Sequence, residues 1–171
     1  MTDWQINGLP LHPLLVHVVV VLLPLAALML ILGSVWPAAR RRLGVITPIT
    51  ALVALLGVPL ATQAGEALER QVVPSAALER HAELGDHLLP WAAGLFVLCV
   101  AHWLWFRTRG RNSADTRGRS ARSVPSLILA AVAIVVAVGA TANVVQIGDT
   151  GAQAVWSTSE DSSTPAPASG R

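Results

Sequence analysis

Four apolar stretches, each long enough to cross a bilayer, constrain this chain more than any other feature. A span needs about 20 predominantly apolar residues. The stretches cover about residues 13–36, 43–63, 87–106 and 124–147. Pro13 suits a first helical position. Pro24, Pro48 and Pro59 fall in the first two runs, and membrane helices tolerate proline where neighbours satisfy the freed carbonyl. The expected fold class is therefore all-α: an integral membrane four-helix bundle.

Composition agrees. Of the 171 residues 53% are hydrophobic and only 13% charged, against roughly 25% charged in an ordinary soluble domain. Four spans of about 20 residues use roughly half the chain and leave no room for a second folded domain. Residues 1–156 are expected to form a single membrane domain. The tail, 157–171, is rich in Ser, Thr, Pro and Ala and reads as disordered. The lone cysteine, Cys99, lies inside an apolar run. It excludes an intrachain disulfide and reads as a small packing residue.

Charge sets the expected orientation. Arg40, Arg41 and Arg42 follow the first run, and Arg107, Arg109, Arg111, Arg117, Arg119 and Arg122 follow the third. These two loops hold nine of the 12 arginines and one acid, Asp115. The positive-inside rule places both loops in the cytoplasm, so both termini and the acidic stretch 65–86 are expected on the extracytoplasmic side. The tryptophans fit this frame: Trp36, Trp103 and Trp105 fall near one interface, Trp4, Trp91 and Trp156 towards the other. Asp3 precedes the first run and the basic cluster follows it, the reverse of a secretory signal. The first span is expected to stay in the mature protein. The arginine loop at 107–123 could bind acidic lipid or nucleic acid, but it lacks interleaved aromatics and any nucleic-acid fold, and it reads first as a solvated topogenic loop. No nucleic-acid partner is expected.

At the opposite ends of the spans the sequence collects its chemistry: His12, His17, His81, His87, Gln63, Glu66, Asn143, Gln146 and Asp149. Ionisable groups at membrane depth are costly and usually face a bundle interior or a cavity. His12 and His17 are five apart, about 140° on a 3.6-residue helix, and His81 and His87 six apart, about 240°. Neither pair shares a face, so any ligands come singly from different helices. Asn143 and Gln146, three apart, can share one.

Three readings compete. One is a haem b site with two axial histidines, carboxylates and amides supporting them. His17, one turn inside the span, is the favoured first ligand, His81 or His87 the second, and His12 a propionate or supporting partner. Ala61, Ala64, Gly65, Gly139 and Ala140 would supply room. Another is a metal-ion site of neutral imidazoles with Glu66 or Asp149. The third is a set of interfacial residues that cap helices and hydrogen-bond one another. His102 lies at the other end of the third span, beside Trp103 and Trp105, and reads as interfacial packing.

Four motifs carry a resemblance: Gly8-Leu9-Pro10-Leu11-His12-Pro13-Leu14-Leu15-Val16-His17, Ala61-Thr62-Gln63-Ala64-Gly65-Glu66, His81-Ala82-Glu83-Leu84-Gly85-Asp86 and Gly148-Asp149-Thr150-Gly151-Ala152. With these, the chain resembles the bacterial membrane family called domain of unknown function 2231, over nearly its whole length except the tail. Members often continue with Phe-Pro after the second histidine; here Val18-Val19 follow. The resemblance implies a four-span protein of the bacterial inner membrane and no established reaction. It covers His12, His17, His81, Glu66 and Asp149; His87 and His102 rest on this sequence alone. The histidine-bearing spans also resemble those of membrane b-type cytochromes.

No nucleophile elbow, phosphate loop, dinucleotide fingerprint or paired-cysteine motif occurs. A small electron-transfer or sensor subunit with a redox or membrane-protein partner is the sharper class. A membrane scaffold is the alternative, and a transporter would need homo-oligomerisation, since no inverted repeat is evident.

Overall fold

In a computed structural model of the chain, residues 4–6, 8–72, 74–112 and 124–161 are described. Four of its helices are long and apolar enough to cross a membrane. The chain opens on a small hairpin, β1 (Gln5–Ile6) against β2 (Leu9–Pro10), antiparallel with Ile6 opposite Leu9. Gly8 turns it with φ +77°, a conformation in which a Cβ would be strained. The Leu11 amide donates to the Trp4 carbonyl at 2.8 Å and so ties the hairpin to the helix that follows.

The helices are α1 (Leu11–Val35), α2 (Pro37–Leu43), α3 (Ile46–Glu69), α4 (Ala76–Asp86), α5 (Leu88–Asn112) and α6 (Val124–Asp161). Each long helix carries a proline in its first turn, Pro13, Pro48, Pro90 and Pro125. There the missing N–H has no intrahelical partner to lose. Hydroxyls inside the helices return to their own backbone: Ser34 donates to Leu30, Thr62 to Val58 and Thr141 to Ala137. No polar group of these side chains is then left to hydrocarbon.

α1 packs against α3 and α6, α3 against α5, and α5 against α6. Small residues line these seams: Ala26 and Ala27 on α1, Ala51, Ala54, Ala61 and Ala64 on α3, Ala133, Ala137 and Ala140 on α6. Lipid does not drive apolar helices together, so close backbone approach across small side chains is what holds them. Leu23, Leu30, Leu95 and Cys99 fill the centre, and Cys99 is the apolar packing residue its setting implied. Gly57 lets Val19 approach; a Cβ there would lie 3.0 Å from its methyl. Large apolar side chains such as Leu28, Leu56, Val97 and Val135 point outward.

Three helices run past the ends of the expected spans; α5 reaches Asn112, six residues beyond 106. α3 continues to Glu69, six residues beyond the anticipated end at 63, and α6 continues through Asp161, past the anticipated end at 147. With 38 residues and 1.5 Å per residue, α6 is about 57 Å long, well beyond a hydrocarbon core of about 30 Å. Its last turns therefore stand clear of the bilayer. Gly148 and Gly151 do not stop it, and Gln153 braces the extension by donating to Asp149 at 3.0 Å, one turn away. The helix thus takes in the first residues of the expected disordered tail; 162–171 lie outside the described residues, as do 113–123 of the arginine loop. α4 is a separate amphipathic helix. Ser75 caps it by accepting from the Leu78 amide at 3.2 Å, and Glu79, Arg80, Glu83 and Asp86 make it too polar for the hydrocarbon.

Candidate functional site

At the histidine end, two imidazoles from different helices meet. His12 lies in the first turn of α1, inside the helix instead of ahead of it. Its Nδ1–H donates to the Ala61 carbonyl of α3 at 2.9 Å. His81 lies on α4, and its Nδ1–H donates to the Ile147 carbonyl of α6 at 3.0 Å. The two rings are 6.3 Å apart between centroids and stand at 86° to each other.

Each ring is seated in the same way. Gly65 follows Ala61 by one helical turn, and a Cβ on it would come within 2.9 Å of the His12 ring. Gly151 follows Ile147 by one turn, and a Cβ on it would come within 3.0 Å of the His81 ring. A carbonyl and a glycine four residues later thus form a socket, built once on α3 and once on α6. In each socket the carbonyl accepts, so Nδ1 carries the proton and a neutral ring keeps its lone pair on Nε2.

The sockets differ in one respect. Thr150 stands beside His81, with its hydroxyl 3.5 Å from Nδ1, and donates to the carbonyls of Gln146 and Ile147 at 3.1 Å each. The Ile147 carbonyl therefore receives two side-chain donors. At the corresponding place on α3, one residue before the glycine, stands Ala64.

Burial holds the His81 pKa below the ordinary histidine value of 6.5. The bond to Ile147 opposes that shift, and the nearby His12 adds to it. The neutral ring, the form that can act as a ligand, is favoured.

The other histidines do not join this pair. His17 is exposed on α1 and turns back on its own helix, donating from Nδ1 to the Pro13 carbonyl. His87 is exposed at the α4–α5 joint and does the same to Glu83 at 2.7 Å. Gln63, Glu66, Gln146 and Asp149 are exposed near the sockets, and Asp149 is engaged by Gln153. Asn143 lies one turn before Ile147 on α6, with its Oδ1 enclosed and without a hydrogen-bond partner among the described residues. Of the residues expected to give room, Ala61 supplies the carbonyl, Ala64 packs in the seam and Gly65 seats the ring. Gly139 serves a different purpose: its bare backbone takes the edge of Trp91.

Ile147, Thr150 and Gly151 were not among the site residues expected from sequence. A glycine one turn after an apolar residue at a span end is the signal that could have marked both sockets. Among the described residues no group of three or more His, Cys, Asp and Glu side chains is placed to hold a metal ion.

Comparison with known proteins gives a family match and nothing finer. The sequence model of DUF2231, described as a predicted membrane protein, matches residues 8–160. No curated protein and no solved structure matches the chain.

Proposed function

The chain belongs to DUF2231, a family of predicted membrane proteins, and on that premise we propose that His12 and His81 are the two protein ligands of one haem b. The protein would then be a small electron-transfer or sensor subunit of the bacterial inner membrane, with both termini and the site on the extracytoplasmic side. The carrying observation is the pair itself: two half-buried rings from α1 and α4, each fixed through Nδ1 to a backbone carbonyl. Anchoring the far nitrogen orients a ligating imidazole and raises its basicity.

The donor set fits this cofactor better than a bare ion. A structural zinc takes about four protein ligands, whereas haem brings its own macrocyclic donors and would need only His12 and His81 from the protein. The two rings lie 6.3 Å apart between centroids, near enough to serve one bound group. Haem, when bound, would supply the one-electron chemistry. The residues of this chain orient the rings and hold them at a helix junction.

The double use of the socket also favours a second reading, in which the histidines pin α1 to α3 and α4 to α6 in a membrane scaffold. Reduced-minus-oxidised spectra of the full chain, expressed with ample haem, separate the two. A Soret band supports the ligand reading. Its absence leaves the scaffold.

A further inference from the structure

At the arginine end, the guanidinium of Arg40 on α2 lies 3.7 Å from the centre of the Phe106 ring on α5. Arg107 lies 5.0 Å from the centre of the Trp103 ring. Stacking on an aromatic face holds a cation in place without neutralising it. Neither guanidinium is paired with a carboxylate among the described residues, and Arg41 and Arg42 stand exposed beside Arg40.

Behind this pair lies His102, 6% exposed. Its ring packs on Phe106 with centroids 4.8 Å apart. It also packs on Gly33 of α1, where a Cβ would come within 3.3 Å of it. A Cβ on the same glycine would also meet Arg40, 3.9 Å from its Cα. His102 Nε2 is enclosed, so the ring serves as packing behind the aromatic platform. Two fixed cations therefore lie around the same α5 turn, at the edge of the apolar belt. Exposed Val35, Trp36 and Leu104 flank it.

We propose that this corner binds the phosphate of an anionic glycerophospholipid from the adjoining leaflet. Arg40 and Arg107 supply charge-assisted donors to phosphate oxygens, His102 backs the Phe106 ring on which Arg40 rests, and Leu104 and Val35 meet the acyl chains. Charge complementarity selects this occupant. Arginines crowd this end of the molecule, and juxtamembrane arginines attract anionic leaflets at about 1 kcal/mol each, about fivefold in affinity. The site is independent of the haem reading, since it shares no residue with the histidine sockets.

The test is native mass spectrometry of the full chain in a non-ionic detergent, titrated with phosphatidylglycerol and, separately, phosphatidylcholine. Tighter retention of phosphatidylglycerol is expected. Arg40→Gln and Arg107→Gln should each weaken it about fivefold. Phe106→Leu, which keeps both charges but removes the ring under Arg40, should weaken it too. Arg80→Gln, on α4 at the other end, should leave it unchanged. Equal retention of the two lipids overturns the proposal, as does indifference to both arginine substitutions. Displacement by inorganic phosphate at the lipid's own concentration would show a free-anion site, and displacement by an RNA oligonucleotide a nucleic-acid surface. Either result overturns the lipid assignment.

Discussion

His12 and His81 face each other across the histidine end of the molecule, centroids 6.3 Å apart and planes at 86°. One begins the first span; the other sits on a short polar helix that crosses to the last. Each is tied to a carbonyl of a neighbouring helix, so their mutual geometry is set by how α3 and α6 are placed.

The pair should be the ligand set. His12→Ala and His81→Ala are each expected to abolish or shift the reduced-minus-oxidised haem spectrum of the full chain. His17→Ala and His87→Ala are expected to leave it as in the wild type, because both rings are exposed and bonded to their own helices. A spectrum that depends on His17 and not on His12 would refute the assignment.

The glycine sockets should be intolerant of a methyl group. Gly65→Ala and Gly151→Ala put a Cβ within about 3 Å of an imidazole, and overpacking of this kind costs roughly 1–3 kcal/mol. Gly148→Ala meets nothing within 4 Å and should gain up to about 1 kcal/mol from helix propensity. Thermal unfolding in detergent would rank the three. If Gly151→Ala proved as stable as Gly148→Ala, the socket would not be a tight one.

His81 should make stability fall in acid. Its folded pKa lies below the ordinary value of 6.5, so the unfolded chain takes up the proton first. Above 6.5 both states are neutral and stability is complete; as pH drops below 6.5 the unfolded state binds more protons and stability is lost. The melting temperature of the wild type should therefore drop between pH 7.5 and pH 5. His81→Gln should flatten that slope, and an unchanged slope would remove His81 as its source.

Topology is the remaining prediction. Reporter fusions after Trp36 and Thr108 should read cytoplasmic and a fusion after Trp156 external, from the concentration of arginines at one end. A cytoplasmic reading at Trp156 would reverse the molecule and place the histidine pair on the inner face.

Much of this protein was legible in the chain alone. The four spans follow from apolar runs of sufficient length, because the cost of leaving a peptide group unsatisfied in hydrocarbon is paid within each segment and needs no partner. The same locality put polar residues at the span ends and arginines together at one side. Boundaries were less legible. α6 outruns its apolar stretch, since a helix already nucleated in the membrane can continue into water on braces such as Gln153 to Asp149. Which histidines turn inward was not legible at all. His12 and His17 lie on one helix in nearly the same apolar company. His12 is drawn in by the Ala61 carbonyl and by the space at Gly65, while His17, without a socket on a neighbouring helix, folds back onto Pro13. Those partners lie on α3, and only helix packing brings them to the ring. The sequence alone therefore determined four apolar spans and the polar residues at their ends, whereas tertiary structure decided the pairing, because a hydrogen bond between helices depends on their rotation and offset.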